Sequence, residues 1–238
     1  MTSKTLTTTL IIMTAMAVLI AGCSDDSTSP QSPAGVDNGI LSTEEIKAAL
    51  SKIPVGEPSE EEIADLLFMR EEEKLAHDVY TVLYEQYDLE IFTKIAASEL
   101  KHTDAIKMLL DRFGLEDPVG DNGPGEFTNE DLQTLYNELI ESGSQSLTDA
   151  LLVGLAIEEI DILDLEEAIG RTDLSSILMV YGNLLKGSHN HLRAFVRVYE
   201  SETGEVYVPR WLSQEAYDEI LSADSGQGRR SGRRGGRG

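Results

Sequence analysis

Glu99 and His102 stand three residues apart in IAASELKHTDAI, residues 95–106. Read as a helix, they belong to a stripe spaced alternately three and four: Phe92, Ile95, Glu99, His102, Ile106, Leu109, Phe113. The stripe is otherwise apolar and therefore faces a core. A carboxylate and an imidazole in an apolar seam are costly unless they have partners. One such partner is a metal ion, because Glu-x-x-His on an inward helix face is a ligand unit of carboxylate-bridged two-metal bundles.

Three further stripes have the same form. One runs Leu66, Met69, Glu73, Ala76, Tyr80, Leu83, Tyr87. Another runs Leu151, Leu155, Glu158, Ile162, Leu165, Ile169. The last runs Ile177, Tyr181, Leu184, Ser188, His191, Phe195, Val198. Each is interrupted by polar residues near its middle: Glu73; Glu99 and His102; Glu158; Ser188 and His191. Taken singly, each interruption has a plain reading as a boundary ion pair or a satisfied core histidine. Their matching depth points instead to one shared centre. His77 and His189 fall outside the stripes and read as partly exposed.

The elements that position these residues follow from punctuation. Ser42-Thr-Glu-Glu45 and Ser59-Glu-Glu-Glu62 have capping-box spacing, opening a short helix to about Lys52 and the first long helix. Helix two follows a turn near Asp88 and ends at Gly114. Residues 115–127 (LEDPVGDNGPGEF) form a loop, and a short helix capped by Thr128 spans 129–142. Ser146 caps helix three, which ends at Gly170. Thr172 or Asp173 caps helix four, which runs to about Ser201 and stops before Gly204. Gly182 and Gly187 inside it suggest a close approach, a ligand or a kink. Val206 to Pro209 reads as a short extended piece, followed by a terminal helix over 212–221 with Trp211 packed on the bundle.

Four long helices with heptad-like stripes imply an all-α four-helix bundle. A long crossover containing a short helix lies between the second and third. The pattern of one Glu followed by Glu-x-x-His, written twice, resembles ferritin-like bundles, and Glu73, Ala76 and Tyr80 resemble the Glu, Ala, Tyr spacing of rubrerythrin-type helices. The runs EEEKLAHDVY (71–80), IAASELKHTDAIKMLL (95–110), SLTDALLVGLAIEEIDILDLEEAI (146–169) and NLLKGSHNHLRAF (183–195) resemble the ferritin-like family catalogued as domain of unknown function 2202. The resemblance covers roughly residues 60–200 and implies the ferritin-like fold; it implies no assigned function.

The chain departs from the repeated pattern at Ser188, where a second Glu-x-x-His requires glutamate. Asp161, three residues after Glu158, is a candidate for the missing oxygen ligand. Glu159 is the other candidate on that helix, and Glu72 is the alternative to Glu73. The candidate metal ligands are thus Glu73, Glu99, His102, Glu158, Asp161 and His191. Carboxylate and imidazole without thiolate suit iron or manganese, as one ion or two. Such a centre belongs to a candidate di-metal oxidoreductase acting on oxygen, peroxide or ferrous iron. Tyr80 is the candidate for acid–base help. The competing reading is a lipid-anchored structural or interaction bundle whose inner polar groups pair among themselves.

Composition narrows the partners. The 238 residues are 41% hydrophobic, enough for one domain with extensions. The formal charge is -24, and five arginines sit in the last ten residues, so the rest is more acidic still. That excludes nucleic acid, which requires a basic surface. The only cysteine is Cys23. Residues 5–22 have the short apolar run and small-residue end of a secretory signal. Leu19-Ile20-Ala21-Gly22-Cys23 resembles a bacterial lipobox, which implies lipid on Cys23 and a membrane-anchored place in the cell envelope. The expected organisation is signal peptide 1–22, tether with a short helix 23–58, bundle 59–204, C-terminal extension 205–224 and Gly/Arg tail 225–238. The sequence leaves the oligomeric state open.

Overall fold

The computed structural model describes residues 41–223. The signal peptide, the lipobox at Cys23, most of the tether and the Gly/Arg tail lie outside the described residues. Among those described there are seven helices and no strand: α1 (Thr43–Leu50), α2 (Glu60–Tyr87), α3 (Glu90–Phe113), α4 (Glu130–Gly143), α5 (Leu147–Gly170), α6 (Ser175–Thr203) and α7 (Gln214–Ser222). No described helix is long and apolar enough to cross a membrane.

Local chemistry sets most of the ends. Ser42 and Ser59 each form a complete capping box, with Glu45 and Glu62 reaching back to the cap backbone. Ser146 caps α5 by accepting from Asp149 N. Gly114 and Gly204 close α3 and α6 in the left-handed conformation, which costs glycine little.

Two caps differ from the sequence reading. Asn129, not Thr128, caps α4, and its Oδ1 accepts from Asp131 N and Leu132 N. Thr128 Oγ1 is turned away to donate to Pro118 O. The N-cap of α6 is Leu174, without a side-chain cap, because Thr172 Oγ1 is committed to Glu62 and to Leu174 N. The extended piece at 206–209 forms no strand, and α7 begins at Gln214.

The long helices α2 and α3 form one hairpin, and α5 and α6 another. α2 packs on α5 and α3 on α6, α4 bridges α2 and α5, α1 rests on α3, and α7 rests on α6. The four stripes face inward, and nearly all their members are buried. The core is nevertheless split in two. One apolar cluster contains Tyr80, Phe92, Ile95, Leu155 and Phe195; the other contains Leu66, Met69, Ile106, Leu165, Tyr181 and Leu184. On α2, α3 and α6 the polar interruption falls between them, and on α5 Glu158 lies at the edge of the first cluster, which continues to Ile162 before the second begins at Leu165. The candidate site is this polar layer.

More charge is buried on α2 than its stripe reveals. Arg70, Glu71, Lys74 and Asp78 lie off the inner face and hold the crossover. Arg70 forks onto Asp117 at 3.0 Å through Nε and Nη2. Glu71 accepts from the N–H groups of Thr128 and Asn129. Lys74 bonds Asp78 at 2.5 Å and Gly123 O at 2.8 Å, and Asp78 accepts from Gly125 N. These loop groups would otherwise be unpaired where the loop is covered. Gly182 is exposed with nothing within 4 Å of a Cβ built on it, so no close approach explains it.

Candidate metal centre

The inward face of α3 carries Glu99 between the two histidines. His102 Nδ1 lies 2.6 Å from one oxygen of Glu99, and His191 Nδ1 from α6 lies 2.8 Å from the other. Glu73 from α2 approaches His102 Nδ1 at 3.3 Å, and Glu158 from α5 approaches His191 Nδ1 at 3.4 Å. The imidazoles stack with centroids 5.4 Å apart and planes 26° from parallel. The result is a near-symmetric row, Glu73, His102, Glu99, His191, Glu158, with one residue pair per half and Glu99 shared. All five are almost fully buried.

Tyr80 extends the row. Its hydroxyl donates to Glu158 Oε1 at 2.6 Å. Phe92 and Phe195 pack beside its ring, with the Phe195 centroid 5.3 Å away. Gly154 gives Phe195 room: a Cβ there would meet the Phe195 ring at 2.5 Å.

Asp161 lies on the next turn of α5 from Glu158. Its Oδ2 accepts a hydrogen bond from Ser188, whose hydroxyl also approaches Leu184 O at 3.1 Å. Serine at 188 thus binds the aspartate that stands near the position of the absent glutamate. Among the candidates left open in the sequence, Glu159 is turned out of the layer. Its carboxylate accepts from Tyr207 Oη and from the N–H groups of Arg210, Trp211 and Leu212, strapping residues 207–212 to the bundle. Glu72 faces Asp161 and Asp164 rather than the histidines. His77 bonds Ala96 O, and His189 is held down near a pKa of about 4 by burial and then by Arg193.

Electrostatics separate the members. Burial alone would raise Glu99, but His191 and His102 outweigh it and hold its carboxyl far below the usual range. Burial lowers His191 and His102, yet Glu99 with Glu158 raises the former to about 10, and Glu99 with Glu73 raises the latter well above the ordinary value. Burial lifts Glu73 to about 7 against the pull of His102. Burial also raises Glu158, Asp161 and Tyr80, the last two well above their ordinary values. Without a metal, the pairing therefore favours protonated imidazoles beside an ionised Glu99.

That arrangement leaves polar atoms over. Glu73 Oε1, Glu99 Oε2, His102 Nε2, Asp161 Oδ1 and both nitrogens of His191 are buried without a hydrogen-bond partner of acceptable geometry. Buried orphans of this kind are rare. His102 Nδ1 and Glu73 Oε2 form a hydrogen bond at 3.3 Å; the shorter approaches of the two imidazoles to Glu99 occur without the alignment of hydrogen bonds, as ligands do when they point at a common centre. One ligand atom each from Glu99, His102 and His191 lies within 4.8 Å of the others. The donor set fits a hard-to-borderline divalent ion.

Known proteins resemble this chain in sequence and structure. The chain is 48% identical over 179 residues to the uncharacterized protein MJ0754 of Methanocaldococcus jannaschii, covering 75% of this chain and 96% of that protein. The crystal structure of hypothetical protein MJ0754 from Methanococcus jannaschii DSM 2661 is similar with a TM-score of 0.70, covering 72% of this chain and 97% of that one. A family model described as uncharacterized protein domain DUF2202 matches residues 62–224, from the first turn of α2 through α7. The chain belongs to the DUF2202 family.

Proposed function

We propose that the protein is a ferritin-like metal-binding protein. It holds one or two iron or manganese ions with Glu73, Glu99, His102, Glu158 and His191, and Asp161 supplies the oxygen donor lost at Ser188. The observation that carries this reading is the set of orphaned carboxylate and imidazole atoms converging in a fully buried layer. The packing of α2 on α5 and α3 on α6, with α4 in the crossover, supports the ferritin-like arrangement. A bound ion pair of this kind supplies redox chemistry toward oxygen, peroxide or ferrous iron. The chain's own residues would shape that chemistry. Tyr80 keeps a proton at Glu158, and the two flanking apolar clusters exclude water. The lipobox-like run at residues 19–23 supports an anchored place at the cell envelope.

A second reading is a bundle without metal, and the short approaches of both imidazoles to Glu99 favour it. Metal analysis separates the two. Protein purified after iron and manganese supplementation is compared with a Glu99→Ala, His102→Ala variant. The metal reading expects bound metal in the first and its loss in the second. Metal near zero in both, or equal in both, supports the self-paired bundle.

A further inference from the structure

The helix α5 carries carboxylates at three-residue spacing: Glu158, Asp161, Asp164 and Glu167. Successive members are neighbours on adjacent turns, and because a three-residue step falls short of a full turn the line winds around α5 from its inner side to its outer side. Their burial is graded. Glu158 is fully buried in the centre, Asp161 is nearly so, Asp164 is half-buried, and Glu167 is exposed. Across from them, α2 contributes Glu72, which is buried and shares a carboxyl–carboxylate hydrogen bond with Asp164. The dominant charged neighbours of Glu72 are Asp164, Asp161 and Glu73, and those of Asp161 are Glu73, Glu99 and Glu158. All are acidic. The nearby guanidinium, Arg171, is engaged at the outer mouth by Asp65 at 2.7 Å and by Glu167.

Burying adjacent carboxylates is unfavourable and needs a compensating partner. The hydrogen bond between Glu72 and Asp164 requires a proton shared between the two carboxyl groups. That proton accounts for part of the compensation, but it leaves Glu72 Oε2 and Asp161 Oδ1 buried without hydrogen-bond partners. It also gives no reason for an acidic line that runs unbroken from the surface to the centre. A cation in transit meets both observations.

We infer that Asp164, Glu72 and Asp161 form the passage by which divalent cations reach the buried centre. The inference rests on the metal reading above. A hydrated ion is drawn to the acidic mouth, exchanges waters for carboxylate oxygens at Glu72, and passes Asp161 to the histidine layer. Asp161 thus serves both the passage and the site, whereas Glu72 and Asp164 serve the passage alone.

The test is the rate at which metal-free protein takes up manganese(II), followed by loss of the electron paramagnetic resonance signal of the free aqua ion. Glu72→Gln and Asp164→Asn keep shape and remove charge, and Asp164, being half-buried, is the safer variant for folding. Both are expected to slow uptake by about tenfold, the lower end of electrostatic focusing, with the final stoichiometry unchanged. Glu138→Gln, an exposed site on α4, is expected to leave the rate unchanged. Wild-type rates in the first two variants would overturn the passage. So would a fall in stoichiometry, which would make Glu72 or Asp164 a ligand, or an equal slowing in Glu138→Gln. No uptake by the wild type would sink the metal reading itself, which distinguishes the two failures.

Discussion

Glu99 Oε1 stands 2.8 Å from His191 Nδ1, joining α3 to α6 across the middle of the bundle. The other oxygen of the same carboxylate stands 2.6 Å from His102. One side chain thus compensates both imidazolium ions of the metal-free centre. Glu99→Gln should therefore lower the titration points of both histidines, read from their ring-proton shifts in NMR. It should also cost about 3 kcal/mol of stability in urea unfolding, because it leaves buried charges uncompensated. Unshifted histidines would contradict the shared role of Glu99.

The pH dependence of the metal-free protein follows with a definite sign. The folded state holds a proton on Glu73 up to about 7 against an ordinary 4.5, and on His191 up to about 10 against an ordinary 6.5. Over both windows the folded state binds more protons than the unfolded chain, so stability falls as pH rises from about 4.5 to about 10. Glu99, Asp117 and Glu62 are shifted downward, and their contribution is lost as pH drops below the ordinary carboxylate range. The melting temperature of metal-free protein should peak near mildly acidic pH and decline toward pH 10. Saturating manganese(II) should flatten the alkaline decline, since the ion replaces those protons. A melting temperature that rises from pH 5 to 9 without metal would contradict the assignment.

Much of this was legible in the sequence. Glu73, Glu99, His102, Glu158 and His191 stand out because they break apolar stripes of known period, and a period fixes a face. The two hairpins and the crossover helix follow from capping boxes and glycines. The functions of Glu71, Lys74 and Asp78 were not legible. In EEEKLAHDVY they look like a solvated helix face, and only the tertiary path of residues 115–129 buries them. Glu159 is hidden in the same way, because its four donors come from a segment some fifty residues downstream. Thr172 has the chemistry of a cap, but a distant contact, Glu62, claims its hydroxyl. Local spacing identifies a face; it does not identify which loop will cover it.

Glu159→Ala should release the C-terminal strap. Three backbone N–H groups and the Tyr207 hydroxyl lose their acceptor, and each buried unsatisfied group costs about 1–3 kcal/mol. Hydrogen exchange across residues 207–222 should accelerate by at least tenfold, with little change in α2 and α3. Uniform acceleration throughout the bundle would show that the strap is not a separate unit.

Gly154→Ala should test the packing behind Tyr80. The added methyl meets Phe195, which packs on the tyrosine ring. Overpacking of this kind costs about 1–3 kcal/mol. The tyrosine should shift relative to Glu158, read as a change in its near-ultraviolet circular dichroism. Wild-type stability and spectrum would show that the contact relaxes freely.

The most direct test of the metal centre is anomalous diffraction from crystals grown with manganese(II) or iron(II), with data collected on either side of the metal's absorption edge. The expected result is a peak in the buried layer bounded by Glu99, His102 and His191, with a second toward Glu73 or Glu158 if two ions bind. An empty layer at full metal saturation, or peaks confined to surface carboxylates, would contradict it.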